Sequence, residues 1–372
     1  MTQKRKILLI THYTATQGMA DKFLNFLKVA YSVGFLAHPL YPTSPLKSFY
    51  SFDSSKKEIK TPPAIQYFSE IIINVWFINF YKKFDLIICF DPLSFFNIYF
   101  YKLFLNKNVV LVYYNLDYSK ERFSNSLMNT IYQSIHRFAF NKSNYFLSPT
   151  SKVIEDFDPE KRMRGKCFVL RHSVDVKKIH KRKRFANSII FAGTLGLTVD
   201  FHELFIACQK MEKKNIPYRF DIYGEGAAKQ QIVDDVEQLH LKNITFYNSV
   251  ENEKLVNDVL PQYMISVAPY ITKKRKGVPD HIFHGTDITS KIVEYMAAGL
   301  PVISTKLYKA FEIIEEKKYG LLVDTSEDWF DAITKLFTKD SFYKQYKKNA
   351  EKEVLKYDVE YTVTPLIEKF LS

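Results

Sequence analysis

The feature that most constrains the fold is a regular alternation between short apolar segments and longer amphipathic ones. "KILLITHY" (6–13), "FDLIICF" (84–90) and "NVVLVYYN" (108–115) are typical of buried strands, while "ADKFLNFLKVAYSVG" (20–34) has the period of an amphipathic helix. The same alternation restarts at "NSIIFAGT" (187–194) and continues to the end of the chain. Two successive β-α-β series predict an α/β protein with two parallel, doubly wound sheets.

The length of the chain favours two domains. A chain of 372 residues exceeds what one ordinary hydrophobic core organises. The break in the alternation coincides with a charged stretch near 175–186. We expect an N-terminal domain over 1–180, a C-terminal domain over 181–356, and a terminal helix over 357–372 that packs back on the N-terminal domain.

Cysteine content and hydropathy bear on the compartment. The three cysteines are widely spaced and form neither a disulfide framework nor a metal-ligand pattern, which favours a reducing, cytoplasmic setting. The apolar run after the basic N terminus is too short for a signal peptide. The longest apolar stretch, 71–81, is interrupted by Asn74 and Asn79, so no transmembrane segment is expected.

A basic stretch at 161–184 carries much of the net charge of +13. Three interpretations compete: a nucleic-acid contact, an anionic membrane surface, or a solvated linker. Nucleic acid is the weakest, because no recognised nucleic-acid module accompanies the charge. A membrane surface gains support from an aromatic cluster at 67–104, although those aromatic residues are more simply explained as core.

Candidate ligand-binding loops follow the strands, because open α/β sheets bind ligands at the carboxyl ends of their strands. The rule selects His12–Gly18, Asn115–Asp117, Gly193–Gly196, Gly224–Gly226 and the loop 271–290. Their glycines could bring backbone N–H groups close to a ligand. None of these loops has the spacing of a dinucleotide fingerprint or of a P-loop, so neither cofactor class is indicated.

The helix that follows the last of these loops, in "SKIVEYMAAGLPVIST" (290–305), carries two charges near its start. Lys291 adds a cation to the positive end of the helix dipole, which suits a diphosphate but is unfavourable as pure structure. Glu294 lies one turn deeper, where a carboxylate could accept hydrogen bonds from the vicinal hydroxyls of a ribose. The simpler alternative is a surface Lys291–Glu294 pair that stabilises the helix slightly.

The motif just quoted resembles the donor-nucleotide motif of GT-B glycosyltransferases, especially the family-4-like group (glycosyl transferases group 1). Further segments are similar in order and spacing: "HYTATQG" (12–18), "LRHSVD" (170–175), "IIFAGTLG" (189–196), "FDIYGEG" (220–226), "NITFYNSVENEKL" (243–255) and "KKYGLLVD" (317–324). The resemblance implies two Rossmann-like domains facing an interdomain cleft, with the donor diphosphate on the helix N terminus and the ribose on Glu294. It assigns the donor nucleotide to Gly193, Thr194, Gly196, Gly224, Glu225, Gly226, Val250, Thr289, Ser290, Lys291 and Glu294.

Two departures from the family pattern concern the donor sugar and phosphates. Relatives usually carry a second glutamate at the position of Thr286, and Asp287 is adjacent but out of register. Relatives also usually carry an arginine at the position of Thr194. We expect Thr286 and Asp287 to border the donor sugar and Lys291 to replace the missing phosphate-binding cation.

The acceptor side is expected in the N-terminal domain. Asp117 follows a buried strand and resembles the general base of some inverting relatives, whereas in retaining relatives such a residue only positions the acceptor. His12 could position the acceptor from the first loop, together with Gln17 and Gly18. A capping aspartate and a satisfied strand-end histidine remain equally reasonable for Asp117 and His12. His281 and His284 lack a third ligand nearby, so no metal site is expected.

Together these observations predict a glycosyltransferase that needs no cofactor or metal. It would move a sugar from a nucleotide-diphosphate sugar, UDP favoured over GDP, to a glycan or lipid-linked acceptor in bacterial-type surface polysaccharide synthesis. Its place would be the cytoplasm, with 161–184 as a peripheral contact to the membrane and no nucleic-acid partner. The alternatives are a catalytically silent GT-B subunit that stabilises a partner transferase, and a sugar-nucleotide epimerase.

Overall fold

The computed structural model of the chain describes residues 4–12, 19–38, 47–52, 55–60, 66–81, 83–104, 106–116, 118, 122–163, 165–196, 198–272, 290–306, 314 and 318–372. These residues form two compact units. The first unit runs to Arg171 and takes up Val363–Ser372 at the end of the chain, and the second comprises the described residues from His172 to Thr362.

The strands are β1 Lys6–Thr11, β2 Ser32–Ala37, β3 Lys47–Phe52, β4 Ser55–Lys60, β5 Leu86–Cys89, β6 Val110–Tyr114, β7 Tyr145–Ser148, β8 Cys167–Val169, β9 Ser188–Ala192, β10 Arg219–Tyr223, β11 Ile244–Tyr247, β12 Ile265–Ala268, β13 Val302–Thr305 and β14 Gly320–Val323. The α-helices are α1 Met19–Leu27, α2 Gln66–Tyr81, α3 Pro92–Phe104, α4 Ser126–Lys142, α5 Ser151–Phe157, α6 His202–Lys213, α7 Lys229–Gln238, α8 Asn252–Lys254, α9 Ser290–Ala297, α10 Ser326–Thr338, α11 Asp340–Glu353, α12 Val359–Thr362 and α13 Thr364–Leu371.

The sheet of the first unit has the strand order β4-β3-β2-β1-β5-β6-β7-β8. The adjacent strands β2-β1-β5-β6-β7-β8 pair with each other in parallel. Strand β3 lies between β2 and β4 and pairs antiparallel with both. The apolar alternation of "KSFYSF" and "SKKEIK" is too weak to predict this hairpin at the edge of the sheet. The central strands are buried throughout, as expected of a parallel sheet covered by helices.

The aromatic residues of the first unit account for much of its core. Phe77, Phe95, Phe140 and Phe157 pack with the inner side chains of the central strands in one cluster. The last helix, α13, also belongs to this unit, since the ring of Phe370 lies 4.4 Å from that of Tyr145 and 6.0 Å from that of Phe168, measured between centroids. The end of the chain is thereby tied to the outer strands β7 and β8.

The sheet of the second unit is entirely parallel, with the order β11-β10-β9-β12-β13-β14. One face packs on α6 and α10, and the other packs on α9 and the end of α11. The chain moves outward from β9 to β11 and then returns to place β12 on the other side of β9. The two sheets confirm the predicted α/β fold, and the reversal between β9 and β12 is the point where such sheets bind ligands.

Among the described residues, no helix is both long enough and apolar enough to cross a membrane.

Candidate functional site

The turns that follow β9 and β10 are packed backbone against backbone. Gly193, Gly224 and Gly226 have φ values of +151°, +158° and +153°, which favour glycine. A Cβ on Gly224 would lie 2.0 Å from the carbonyl oxygen of Gly193, and one on Gly226 would lie 2.3 Å from that of Leu195. These glycines are therefore required by the close approach of the two turns, in addition to any role toward a ligand.

Helix α9 begins beside these turns. Its inner face is apolar, with Ile292, Val293 and Met296 buried in the second unit's core. The helix ends at Gly299, whose φ of +68° and whose N–H bond to the Met296 carbonyl are typical of a glycine C-cap. Arg184 donates a hydrogen bond to the Ala298 carbonyl at 2.9 Å, so its side chain binds another backbone carbonyl at the C-terminal end of α9.

A buried tyrosine fixes α9 relative to β9. The Tyr295 hydroxyl accepts a hydrogen bond from the Ala192 backbone N–H at 2.9 Å and donates to the Ala192 carbonyl at 3.2 Å. Ala192 is the last residue of β9, directly before Gly193. These two hydrogen bonds tie the second turn of α9 to the end of β9.

Lys291 lies across Gly193. A Cβ on that glycine would be 2.0 Å from Lys291 Cε and 2.6 Å from Lys291 Nζ, so any larger residue there would displace the end of the lysine side chain. The ammonium sits 4.8 Å from the ring centroid of Phe191 and 5.8 Å from that of Tyr270. Burial among these groups lowers the pKa of Lys291 from 10.5 to about 8, and the nearby Glu294 carboxylate offsets only part of this effect.

Glu294 lies inside the protein instead of on the surface of the helix. Its side chain is 5% exposed and accepts a hydrogen bond from Asn252 Nδ2 at 3.1 Å. Asn252 is the first residue of α8 and follows the loop after β11. The exposed Lys291–Glu294 surface pair that the sequence left open is therefore not formed, because the carboxylate is buried.

Asn252 is the residue of this cluster that the sequence reasoning missed. It stands in "VENEKL", in a segment from which the resemblance assigned only Val250 to the donor site. Its position two residues after Val250, at the start of a helix after a strand, was the available signal. The amide keeps one side of the Glu294 carboxylate in place and lies on the same edge of the sheet as the glycine turns.

The remaining donor-side candidates are spread over the same edge. Thr194 is exposed, Gly196, Val250 and Ser290 are half-buried, and Glu225 is exposed and pairs with Lys229 at 2.7 Å. Several predicted residues lie outside the described part of the chain: Gln17, Gly18, Asp117, His281, His284, Thr286, Asp287 and Thr289. Their assignments stay predictions.

In the first unit, His12 stands at the end of β1 in a cluster of charged and polar groups. Its Nδ1 is 2.6 Å from Asp91 Oδ1 and its Nε2 is 2.8 Å from Glu70 Oε2. Ser94 Oγ bonds to Asp91 Oδ2 at 2.7 Å, and Asn97 Nδ2 donates to Glu70 Oε1 at 2.9 Å. The two carboxylates therefore occupy both ring nitrogens of the histidine.

The charge state of His12 follows from this arrangement. Burial of the ring lowers its pKa, but the charges and hydrogen bonds of Asp91 and Glu70 raise it more, to about 10. His12 is thus an imidazolium at neutral pH, with both N–H groups donating to carboxylates. In this arrangement the His12 ring has no free nitrogen with which to accept a proton.

The basic stretch at 161–184 is partly neutralised where it enters the second unit. Lys177 pairs with Glu360 at 2.6 Å, Lys178 pairs with Glu253 at 3.3 Å, and Arg182 pairs with Asp258. Arg184 binds the end of α9 as described above. Ion pairs between exposed side chains add little to stability, but they leave the stretch with less unpaired charge than its composition indicates.

Metal ligation finds no support in the described residues, among which no group of three His, Cys, Asp or Glu side chains is arranged to hold an ion.

Among the comparisons with known proteins, a family model matches a large part of the second unit. Residues 175–353 match the model of the family described as glycosyl transferases group 1. A relative in Escherichia coli (strain K12), WcaL, is named for a glycosyltransferase role in colanic acid biosynthesis. It is 24% identical over 168 residues, which are 44% of this chain and 40% of WcaL. The match thus spans well under half of that relative's length.

Two solved structures are similar to this protein over most of its length. A structure of TarM from S. aureus with UDP, fondaparinux and alpha-GlcNAc-glycerol has a TM-score of 0.62 at 18% identity, over 87% of this chain and 62% of TarM. A structure of Anabaena HepE with UDP has a TM-score of 0.64 at 15% identity, over 98% of this chain and 99% of HepE. At these identities the likeness establishes the fold, which is GT-B.

Proposed function

Because residues 175–353 match the glycosyl transferases group 1 model and the chain has the GT-B fold, we propose that the protein transfers a sugar from a nucleotide-diphosphate sugar. UDP is the favoured nucleotide, since TarM and HepE were both solved with UDP. The acceptor is a glycan or a lipid-linked glycan of surface polysaccharide synthesis, in keeping with the name of WcaL. The reaction takes place on the cytoplasmic side, where the chain meets the membrane as a peripheral protein.

The observation that carries the proposal is the burial of Lys291 and Glu294 near the start of α9. A surface helix gains nothing from a lysine in its first turn, and burial there lowers the pKa of its ammonium to about 8. Such an arrangement is unfavourable without a ligand and becomes favourable when an anion lies beside the lysine. The diphosphate of the donor supplies that anion at the helix N terminus.

Glu294 and Asn252 supply the ribose end of the proposed site. The buried Glu294 carboxylate accepts a hydrogen bond of 3.1 Å from Asn252, and a carboxylate has about four lone-pair positions with which to accept hydrogen bonds. The vicinal hydroxyls of a ribose are donors of matching spacing. Asn252 holds the carboxylate, so that the ligand does not have to order it, which lowers the entropy lost on binding.

The chemistry follows from the same groups. As the bond from the sugar to the diphosphate breaks, negative charge grows on the leaving phosphate. Lys291 and the aligned N–H groups of α9 lie where they can stabilise that charge without reorganising. In the proposal these protein groups take the place of a metal ion. The approach of the acceptor hydroxyl belongs to Asp117 and the loop 13–18, which remain predictions.

The test is nucleotide binding by calorimetry, with UDP, GDP, ADP and UDP-sugars on the wild type and on Glu294→Ala. We expect UDP to bind and Glu294→Ala to weaken it by about ten- to a hundredfold, equal to about 1.4–2.8 kcal/mol. Glu237→Ala, which removes an exposed glutamate of α7, is the matched control and should bind as the wild type does. No binding of any nucleotide by a folded wild type would refute the proposal and favour the silent-subunit alternative.

A further inference from the structure

Helix α2 is built with its charge inside and its apolar residues outside. Its single charged residue, Glu70, is fully buried against His12. On the outer side, Ile72, Trp76 and Phe80 are 71%, 45% and 64% exposed. They recur every four residues, so they form one stripe along the helix. An isolated exposed apolar residue is ordinary, but a whole stripe without a charge is not.

Helix α3 extends this surface. Phe100, Leu103 and Phe104 are all exposed near its C-terminal end, Phe104 at 78%. Both helices contact each other and pack on the same face of the sheet. Each helix leads into or follows the parallel strand β5, so their C-terminal ends lie at the same edge of the sheet. We name the six residues just given, Ile72, Trp76, Phe80, Phe100, Leu103 and Phe104, the outer apolar face.

The border of the outer apolar face is basic. Lys83 follows α2 and Lys107 follows α3, both exposed, and Lys102 lies within the last turn of α3. The sequences of α2 and α3 contain no acidic residue other than the buried Glu70. The face therefore combines large aromatic side chains with a rim of lysines and is free of exposed carboxylates.

We propose that the outer apolar face docks on a membrane surface rich in anionic phospholipid. Trp and Phe side chains enter the boundary between headgroups and acyl chains, and the lysines at the rim reach the phosphates. A second copy of the chain fits less well, because pairing this face with itself would bring two rims of lysines together. The basic residues at 177–184 are less suited to this role, because many of them pair with acidic residues of their own unit.

Tryptophan fluorescence offers a direct test, since the chain has two tryptophans and they differ in exposure. Trp76 lies in the outer apolar face, whereas Trp329 is 1% exposed in the core of the second unit. Vesicles of phosphatidylglycerol and phosphatidylcholine should shift the emission to the blue, and brominated lipid should quench it. The variant Trp76→Phe reports on Trp329 alone and should show neither change.

Vesicle sedimentation with matched variants tests the surface itself. The triple variant Ile72→Ser, Phe80→Ser, Phe104→Ser should bind anionic vesicles at least about tenfold more weakly than the wild type. The control variant Val29→Ser, Leu355→Ser, Tyr361→Ser removes three exposed apolar residues that lie elsewhere, and it should bind as the wild type does. The variant Lys83→Ala, Lys107→Ala should bind anionic vesicles more weakly than the wild type. Rising salt should weaken the binding of the wild type as well, because salt screens the charge of the lysines.

Three results would overturn the proposal. Equal binding of the triple variant, with an unchanged melting temperature and circular dichroism spectrum, would show that the face does not dock. Equal binding to vesicles of phosphatidylcholine alone would remove the role of the anionic headgroup. A wild-type dimer in solution that the triple variant dissociates, without any vesicle binding, would assign the face to a second copy of the chain.

Discussion

The lowered pKa of Lys291 leads to a specific prediction about nucleotide binding. The free protein holds the ammonium with a pKa of about 8, because the side chain is buried beside Phe191 and Tyr270. A bound diphosphate would favour the charged form and return the pKa toward or above the ordinary value of 10.5. Binding near pH 8 should therefore take up a proton from solution.

The size of the effect follows from the two pKa values. At about pH 7 nine-tenths of the free lysines are charged, and at about pH 9 only one-tenth are, whereas the bound lysine stays charged throughout. The affinity for UDP should then fall about tenfold from about pH 7 to about pH 9, which corresponds to about 1.4 kcal/mol. The fall reflects the cost of protonating the lysine before it can bind the phosphates.

Isothermal titration calorimetry in buffers of different ionisation enthalpy measures this proton uptake. Lys291→Met should bind more weakly and with a flat profile, apart from the titration of the nucleotide itself, which is common to both proteins. Lys291→Arg keeps a permanent charge and should remove the proton uptake while retaining affinity in part. The reasoning is refuted if the wild type takes up no proton near pH 8, or if Lys291→Met shows the same tenfold fall.

Two further predictions concern the glycine turn and the buried histidine. Gly193→Ala should lower both stability, by about 1–3 kcal/mol, and UDP affinity, because its Cβ would meet the Lys291 side chain at 2.0 Å and its φ is +151°; unchanged melting and binding would contradict the geometry. His12 has a pKa of about 10 in the folded protein against 6.5 in the unfolded one, so its contribution to stability is complete below about pH 6.5 and is lost as the pH rises toward 10. Denaturant titrations of the wild type and His12→Gln at about pH 6 and about pH 9 should differ by a few kcal/mol more at the lower pH, and an equal difference at both would refute the assignment.

The alternation of apolar periods was sufficient to predict the two parallel sheets. Strands such as β1 and β9 are buried on both sides, and so they appear as continuous apolar runs that a sequence displays directly. The antiparallel hairpin of β3 and β4 escaped prediction because an edge strand needs little apolar pattern. The sequence also predicted that α9 ends before Gly299, because a glycine followed by Leu-Pro readily adopts the positive φ that ends a helix.

The chemical state of the candidate residues was decided by tertiary packing. The sequence placed Lys291 and Glu294 one turn apart, but the burial of Glu294, its bond to Asn252 and the lowered pKa of Lys291 depend on groups from other strands and helices. The same holds for His12, whose two carboxylate partners lie 58 and 79 residues away along the chain.

For the aromatic cluster at 67–104, too, the sequence did not predict which side chains are buried, and the tertiary structure decides it. Composition favoured a core for these residues, and Phe77 and Phe95 are indeed buried, while Trp76 and Phe104 face outward. Both faces of α2 are apolar, so its sequence has no period that marks an inner side. Contacts from other parts of the chain, among them Glu70 with His12 and Asn74 with His38, orient the helix and decide which aromatic residues meet the solvent. Local periodicity thus determined the elements, and long-range contacts determined burial, charge and the direction in which each side chain points.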